Sequence, residues 1–394
     1  MEENLVVLAA SEAALHREKV QLQMRRNGIE GIIINDNANL FYLTGRVYAG
    51  YAYIPVEGEA VWFIRRPVEL AGNNVEYIRR PEDIPTRLEA LGVPAPTTVA
   101  IELDIASYNL AKRLAALFPE ANVVDGTAIM RAVRAVKTPY EQEQMRISGL
   151  KHQAVYREVP KFYHIGMTDN ELQIEIERVA RLAGCLGQFR ISGQSMELFM
   201  GNILCGDNAD VPTPYDFAMG GRGLDPSLPV GASGEEIKPN TTVMVDLNGD
   251  FTGYMTDMTR VFSVGKLPEL AHKAHQCSID MCRLFEREAR PGVEAKELYQ
   301  KIAAMAAERG LDTYFMGHRP HASFIGHGLG IEINEMPVIA PRSKQVLEAG
   351  NMIALEPKFV IPGTGAVGIE NTYLITDEGA VSLTNAPEEI LPLD

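Results

Sequence analysis

The sequence predicts a two-domain chain of the α/β (α+β) class, and three observations predict it. The chain has 394 residues, and at about 100–200 residues per domain this length suggests two domains. Its first third alternates short apolar runs with helical stretches. Its remainder sets carboxylates on apolar strands between longer helices.

The elements follow in chain order. Ser11 is placed to cap a helix running through residues 13–26 and stopping at Asn27-Gly28. The apolar run from Gly31 to Asn35 reads as a buried strand. Further strand-like pieces lie at Tyr53–Pro55, Ala60–Ile64 and Thr98–Ile101, with a helical stretch at Ser107–Leu117. This alternation predicts a mixed sheet. The region holds no His/Asp/Glu cluster and no glycine-rich phosphate loop. Thr138-Pro139 opens a new helix from Tyr140 to about Val159, so the junction is expected near residues 130–140, giving domains 1–135 and 136–394. Thr168 and Glu171 form a capping box for a helix ending at Ala183. Two more helices, about Pro268–Arg290 and Glu294–Arg309, flank Pro291-Gly292, and Gly310 is a natural stop for the second.

Composition limits the partners. The net charge of −15 argues against nucleic acid and anionic membranes, which repel an acidic surface. No apolar run reaches the roughly 18 residues that span a bilayer. The N-terminus lacks a basic segment followed by a long apolar one, so it does not read as a signal peptide. Cys185, Cys205, Cys277 and Cys282 form no C-x-x-C pair. Reduced thiols in a cytoplasmic protein are the expectation.

The chemistry is concentrated in the second half. The strand Thr242–Asn248 delivers Asp246 into an apolar setting. The turn-prone stretch Gly249–Gly253 reverses the chain, and a second strand carries Asp257. The pattern recurs with Glu356 at the end of Met352–Glu356, a turn at Pro362–Gly365, and Glu370 at the end of Ala366–Glu370. The acids are 11 positions apart in the first hairpin and 14 in the second, which suggests a pseudo-symmetric domain with a site between its halves. Between the hairpins stands His327, flanked by glycines that leave its imidazole accessible as a metal ligand. Four carboxylates gathered in an apolar pocket repel one another and lose hydration. Two divalent cations would balance them, and four acids with one histidine suit a two-metal site. Such oxygen-rich ligands favour Mn²⁺, Fe²⁺, Co²⁺ or Zn²⁺. Any one of these acids alone would more readily be an edge residue or an ion-pair partner.

These segments resemble the five-ligand signature of the family of methionine aminopeptidase, Xaa-Pro aminopeptidase, prolidase and creatinase, the pita-bread metallohydrolases. The matching stretches are Val245–Asn248, Thr256–Phe262, Gly326–Glu332, Ala354–Pro357 and Gly368–Asn371. The first half is similar, less strongly, to the creatinase-type N-terminal domain, through Asn39–Gly45 and Val133–Lys137. The resemblance implies that Asp246, Asp257, His327, Glu356 and Glu370 hold two metals, Mn²⁺ being the first expectation. The metals would activate a bridging water by lowering its pKa. Glu356 would also handle the proton. A homodimer is implied as well.

Three departures qualify the likeness. The peptidases carry a histidine in the segment matching Ser227–Gly231, where ungapped alignment places Pro229. They carry another in the pair that here reads Asn334-Glu335. Xaa-Pro enzymes usually carry an arginine where this chain has Gly368. Loss of one oxyanion donor costs about 10²–10³ in rate. His318 and His321 are candidates to stand in for the missing pair, with His321 as the catalytic choice, although loop histidines are more often surface residues. Asn334 is the candidate substrate contact. The expected function is therefore a metal-dependent hydrolase of the Xaa-Pro aminopeptidase/dipeptidase type, acting on a small peptide. The alternatives are a non-peptidase hydrolase or lyase acting on a small polar molecule, and a non-catalytic binding protein.

Overall fold

The computed structural model describes residues 3–193, 199–215, 217, 219–319 and 321–393. The chain divides into two compact units, Met1–Arg134 and Ala135–Asp394.

The first unit is built on a six-stranded mixed sheet. Its order is Val75–Tyr77, Val61–Arg66, Ala49–Pro55, Gly31–Ile34, Thr98–Ile101, Asn122–Asp125. The central strand Gly31–Ile34 is buried along its whole length. It pairs antiparallel with Ala49–Pro55 and parallel with Thr98–Ile101. Burial on both faces explains why it reads as an unbroken apolar run. The first helix is Ala10–Arg26, and its N-cap is Ala9, with no side-chain cap. Ser11 is thus in the first turn rather than at the cap. The helix starts early because the preceding segment is anchored, with the Val7 N–H donating to the Thr44 carbonyl. Helix Tyr108–Ala115 does have its expected cap, as Ser107 accepts from the Leu110 N–H.

The second unit repeats one arrangement twice. In one half, helices Pro139–Tyr156 and Asp169–Leu182 pack on a four-stranded sheet ordered Leu391–Pro392, Met255–Val264, Thr241–Asp250, Gly201–Cys205. In the other, helices Glu269–Glu288 and Ala295–Glu308 pack on a five-stranded sheet ordered Glu335–Ile339, Gly326–Gly328, Met352–Leu355, Asn371–Thr376, Gly379–Ser382. Thr138 and Glu141 cap the first helix reciprocally, and Thr168 and Glu171 the second. Cys277, Met281, Cys282 and Phe285 line the inner face of Glu269–Glu288 and are fully buried. Full burial of a side chain such as Met281 or Phe285 contributes about 1.5–3 kcal/mol. All four cysteines are free thiols.

The two sheets meet at an antiparallel bridge, Thr259 opposite Glu370. The Glu370 N–H donates to the Thr259 carbonyl, and the Thr259 hydroxyl donates to Glu370 Oε2 at 2.7 Å. The seam between the halves therefore runs through one of the candidate acids.

Candidate metal centre

Asp246, Asp257 and His327 are each set by a strand. Thr241–Asp250 and Met255–Val264 form a ten-residue antiparallel ladder in which Asn248 faces Asp257 and Asp246 faces Thr259. In the second half the sequence-expected hairpin is rearranged. Met352–Leu355 pairs with Asn371–Thr376, while the chain between them forms a separate two-stranded hairpin, Lys358–Ile361 with Gly365–Gly368. Glu356 and Glu370 therefore stand where the chain leaves one ladder for the other. Backbone freed from one ladder there can turn two carboxylates to the same side.

The structure brings all five candidate ligands to one cleft of about 100 Å³. Phe189, Ile191, Phe217, Phe324 and Ile333 supply apolar walls, and Asn202, Asn248 and Asn334 supply polar ones. His327 Nε2 lies 3.5 Å from Glu356 Oε1, and its Nδ1 lies 3.1 Å from the Gly328 carbonyl. In the tautomer that donates Nδ1–H to that carbonyl, Nε2 keeps its lone pair for the cleft. Burial holds the His327 pKa below its ordinary value, so the neutral ring is favoured. Burial also raises the pKa values of Asp257, Glu356 and Glu370, and neighbouring carboxylates raise them further.

A sixth residue, Lys358, was missed by the sequence reading. Its side chain is fully buried. Its Nζ donates to Asp246 Oδ2 at 2.8 Å, to Glu356 Oε2 at 2.7 Å and to Glu370 Oε2 at 3.2 Å. Burial works against its charge, but the Asp246, Glu356 and Glu370 carboxylates prevail and the net shift is upward. A signal was present in the sequence. Lys358 lies two positions after Glu356 at the start of an extended run, and residues two apart in a strand share a face.

Within the cleft, two trios of side chains lie close enough to share a cation. They are Asp257, His327 and Glu370, and Asp246, Glu356 and Glu370, each with ligand atoms within 4.8 Å of one another. The first trio fits a divalent ion: Glu370 Oε1 is buried there with no hydrogen-bond partner among the described residues. The second does not fit one as it stands, because the Lys358 ammonium already touches all three of its carboxylates.

The remaining candidates fall elsewhere. Asn334 reaches the cleft, but its amide is engaged. Its Oδ1 accepts from the Ser192 N–H and its Nδ2 donates to the Ser192 carbonyl, both at 2.7 Å. His321 does not join the carboxylates. It lines a neighbouring pocket with His318 and places Nδ1 2.7 Å from the Phe315 carbonyl. His318 faces Asp210 at 3.1 Å. Pro229 is not among the cleft residues, and its carbonyl accepts from the Thr213 hydroxyl.

Comparison with known proteins identifies the family. The family model described as metallopeptidase family M24 matches residues 143–377, and the creatinase/prolidase N-terminal domain matches residues 16–136. An uncharacterized peptidase of Bacillus subtilis is 26% identical over 95% of this chain and 99% of its own length. The Xaa-Pro dipeptidase of Pyrococcus furiosus is also 26% identical, over 95% of this chain and 99% of its own. Among solved structures, the prolidase of Pyrococcus horikoshii superposes with a TM-score of 0.77 at 22% identity, covering 96% of this chain and 100% of its own. The Xaa-Pro dipeptidase of Bacillus anthracis gives 0.80 at 21% identity, covering 96% and 99%. With one family model spanning more than half of its length and a second matching its first third, this chain belongs to metallopeptidase family M24 and carries a creatinase-type N-terminal domain.

Proposed function

We propose that the chain is a metal-dependent hydrolase of small peptide-like substrates, of the Xaa-Pro dipeptidase type. The observation that carries this reading is the convergence of Asp246, Asp257, His327, Glu356 and Glu370 in one cleft with apolar walls. A divalent ion held there by Asp257, His327 and Glu370 would supply Lewis-acid polarisation and an acidified water. Mn²⁺, Co²⁺, Zn²⁺ and Fe²⁺ all suit that donor set. The chain's own residues supply the rest. Glu356, between His327 and Lys358, is the carboxylate placed to move a proton. The phenylalanines and isoleucines exclude water from an apolar substrate side chain. We further propose a homodimer, on resemblance alone; light scattering that returns the 43.4 kDa monomer mass at micromolar concentration refutes it.

A second reading has its own support. Asn334 commits its amide to Ser192, and His318 and His321 line a different pocket, so among the described residues His327, the candidate ligand, is the one histidine in the cleft. This favours a non-peptidase hydrolase or lyase acting on a small polar molecule. A substrate panel on metal-supplied full-length protein separates the two. A kcat/KM of about 10⁴ M⁻¹s⁻¹ or more on an Xaa-Pro dipeptide, within the usual enzyme range, supports the peptidase. Turnover confined to small non-peptide amides or acids supports the second reading. No turnover across the panel, with metal bound, would sink both.

A further inference from the structure

We infer that Lys358 is a built-in cation occupying one half of the M24 centre, so that this chain binds a single divalent ion, on Asp257, His327 and Glu370. This rests on reading the cluster as a cation site and departs from the two-ion arrangement expected from the resemblance.

The argument is geometric. The two cation-sized trios share only Glu370. Lys358 Nζ lies 2.7–3.2 Å from an oxygen of every member of the Asp246/Glu356/Glu370 trio. An ammonium has three protons, and each has a carboxylate to meet. A divalent ion would need the same three oxygens. It could enter only by expelling a fully buried ammonium from its partners. Unpaired buried charges are costly, so that exchange is opposed. The other trio is left intact. Lys358 uses Glu370 Oε2, while Glu370 Oε1 has no partner among the described residues. Neither Asp257 nor His327 is within its hydrogen-bond reach.

The backbone holds the lysine in place. It begins the strand Lys358–Ile361, and its carbonyl accepts from the Met316 N–H at 2.8 Å. Its strand partner is Gly368, which has no side chain to compete for the space. With all four carboxylates ionised, one ammonium and one divalent ion leave one net negative charge. A two-ion centre would be neutral. The centre therefore keeps an attraction for a substrate that brings a positive charge, such as a protonated amine.

The test is metal stoichiometry on the full chain, read by calorimetric titration with Mn²⁺ and by elemental analysis after desalting. The wild type should take up one Mn²⁺ per chain, with the electron paramagnetic resonance spectrum of an isolated ion. Lys358→Gly should admit a second, and the spectrum should become that of an exchange-coupled pair. Asp257→Asn should lose the ion, while Asp246→Asn should keep it. If Lys358→Gly does not fold, Lys358→Ala, which also removes the charge, should bind two ions, and one ion in that folded variant would overturn the role of the lysine. Two tightly held ions in the wild type would overturn the role of Lys358 but leave the hydrolase reading standing. No bound ion in folded wild type would overturn both. One ion in both wild type and folded Lys358→Gly would show that the lysine is not what excludes the second.

Discussion

Lys358 and Gly368 face each other across the two-stranded hairpin beside the carboxylates. Gly368 has a backbone φ of +128°, a region open essentially to glycine alone. A Cβ built there would lie 2.6 Å from the Pro357 carbonyl oxygen and 3.0 Å from the Lys358 Cα. Gly368 is the position that the resemblance matches to an arginine of Xaa-Pro enzymes, and the buried cation Lys358 stands opposite it on the neighbouring strand.

Gly368→Arg should consequently fail to restore a family-like site. It should lower stability by about 1–3 kcal/mol or more, through strain at a left-handed position and backbone overlap. Thermal melting would show the drop. Tm within a degree of the wild type would mean that the hairpin can re-form around a side chain.

Much of this site was legible in the sequence, because acids on apolar strands are anomalous in themselves. Asp246, Asp257, Glu356 and Glu370 stand out against Val, Met, Ala and Ile, and glycines mark His327. Lys358 was less visible, since a lysine after a proline reads as a solvated strand end. Its spacing from Glu356 hints at a shared face, but the change of ladder between Leu355 and Lys358 is a long-range pairing. His321 misled for the converse reason. Its closeness to His327 along the chain said nothing about direction, and the structure aims it at the Phe315 carbonyl. In the first unit, the apolar run Gly31–Ile34 announced its strand, whereas the first helix began ahead of Ser11 because of a contact with Thr44.

Asn334 clamps the backbone of Ser192 with both halves of its amide. Asn334→Ala should remove both bonds and free the segment that carries Phe189 and Ile191 to the cleft wall. The expected readout is faster hydrogen exchange at the Ser192 amide, with KM affected more than kcat. Unchanged exchange at Ser192 would show that the clamp is not what orders the segment. Asn334→His can keep at most one of the two bonds, so it should loosen the segment too.

His275 makes stability depend on pH. Its Nδ1 accepts from the Gly368 N–H at 3.1 Å, and its Nε2 faces the Glu388 carbonyl at 2.7 Å. That pairing needs the neutral ring with its proton on Nε2. Burial lowers its pKa from the ordinary 6.5 to about 4. The unfolded chain therefore takes up a proton as pH falls below about 6.5, while the folded chain resists it until about 4. The stability from this group is present in full above 6.5 and is lost as pH falls across that window. His152, lowered by burial to about 3, acts in the same direction. Chemical denaturation at stepped pH should show the decline, and His275→Gln should flatten part of it. A slope unchanged in that variant would assign the effect to other groups.

Glu102 offers a test in the first unit. It is fully buried, and each partner the structure gives it is a donor. The Asn35 and Asp36 N–H groups donate to Oε2, at 2.7 and 3.0 Å, and the Asn39 amide donates to Oε1 at 2.5 Å. Glu102→Gln would put an NH₂ against one of these donors whichever way the amide turns. The expected cost is about 1–3 kcal/mol. Denaturant melts should show it as a lower midpoint, and a midpoint equal to the wild type's would mean that the donors re-pair.

The last prediction concerns Lys137 and Glu335, a buried pair within the second unit at 2.8 Å. Their side chains are only 1% and 2% exposed. Glu335 Oε1 also accepts from the Ile331 and Glu332 N–H groups, both at 3.1 Å, so this carboxylate folds the turn that follows His327. Gly330 belongs to the same knot, since a Cβ there would meet the Lys137 side chain at 2.9 Å. Breaking a buried pair from one side leaves the other charge uncompensated and costs about 3–5 kcal/mol. Lys137→Met should move toward that figure, with Glu335 keeping its backbone donors but losing the Lys137 ammonium. Removing both charges together should cost less than removing the lysine alone, because the carboxylate that the lysine faces is then gone too. Lys137→Met with Glu335→Gln, set beside the two single variants in a denaturant-unfolding cycle, measures the difference. A double variant no more stable than Lys137→Met would show that Glu335 is held by its backbone donors and not by the lysine.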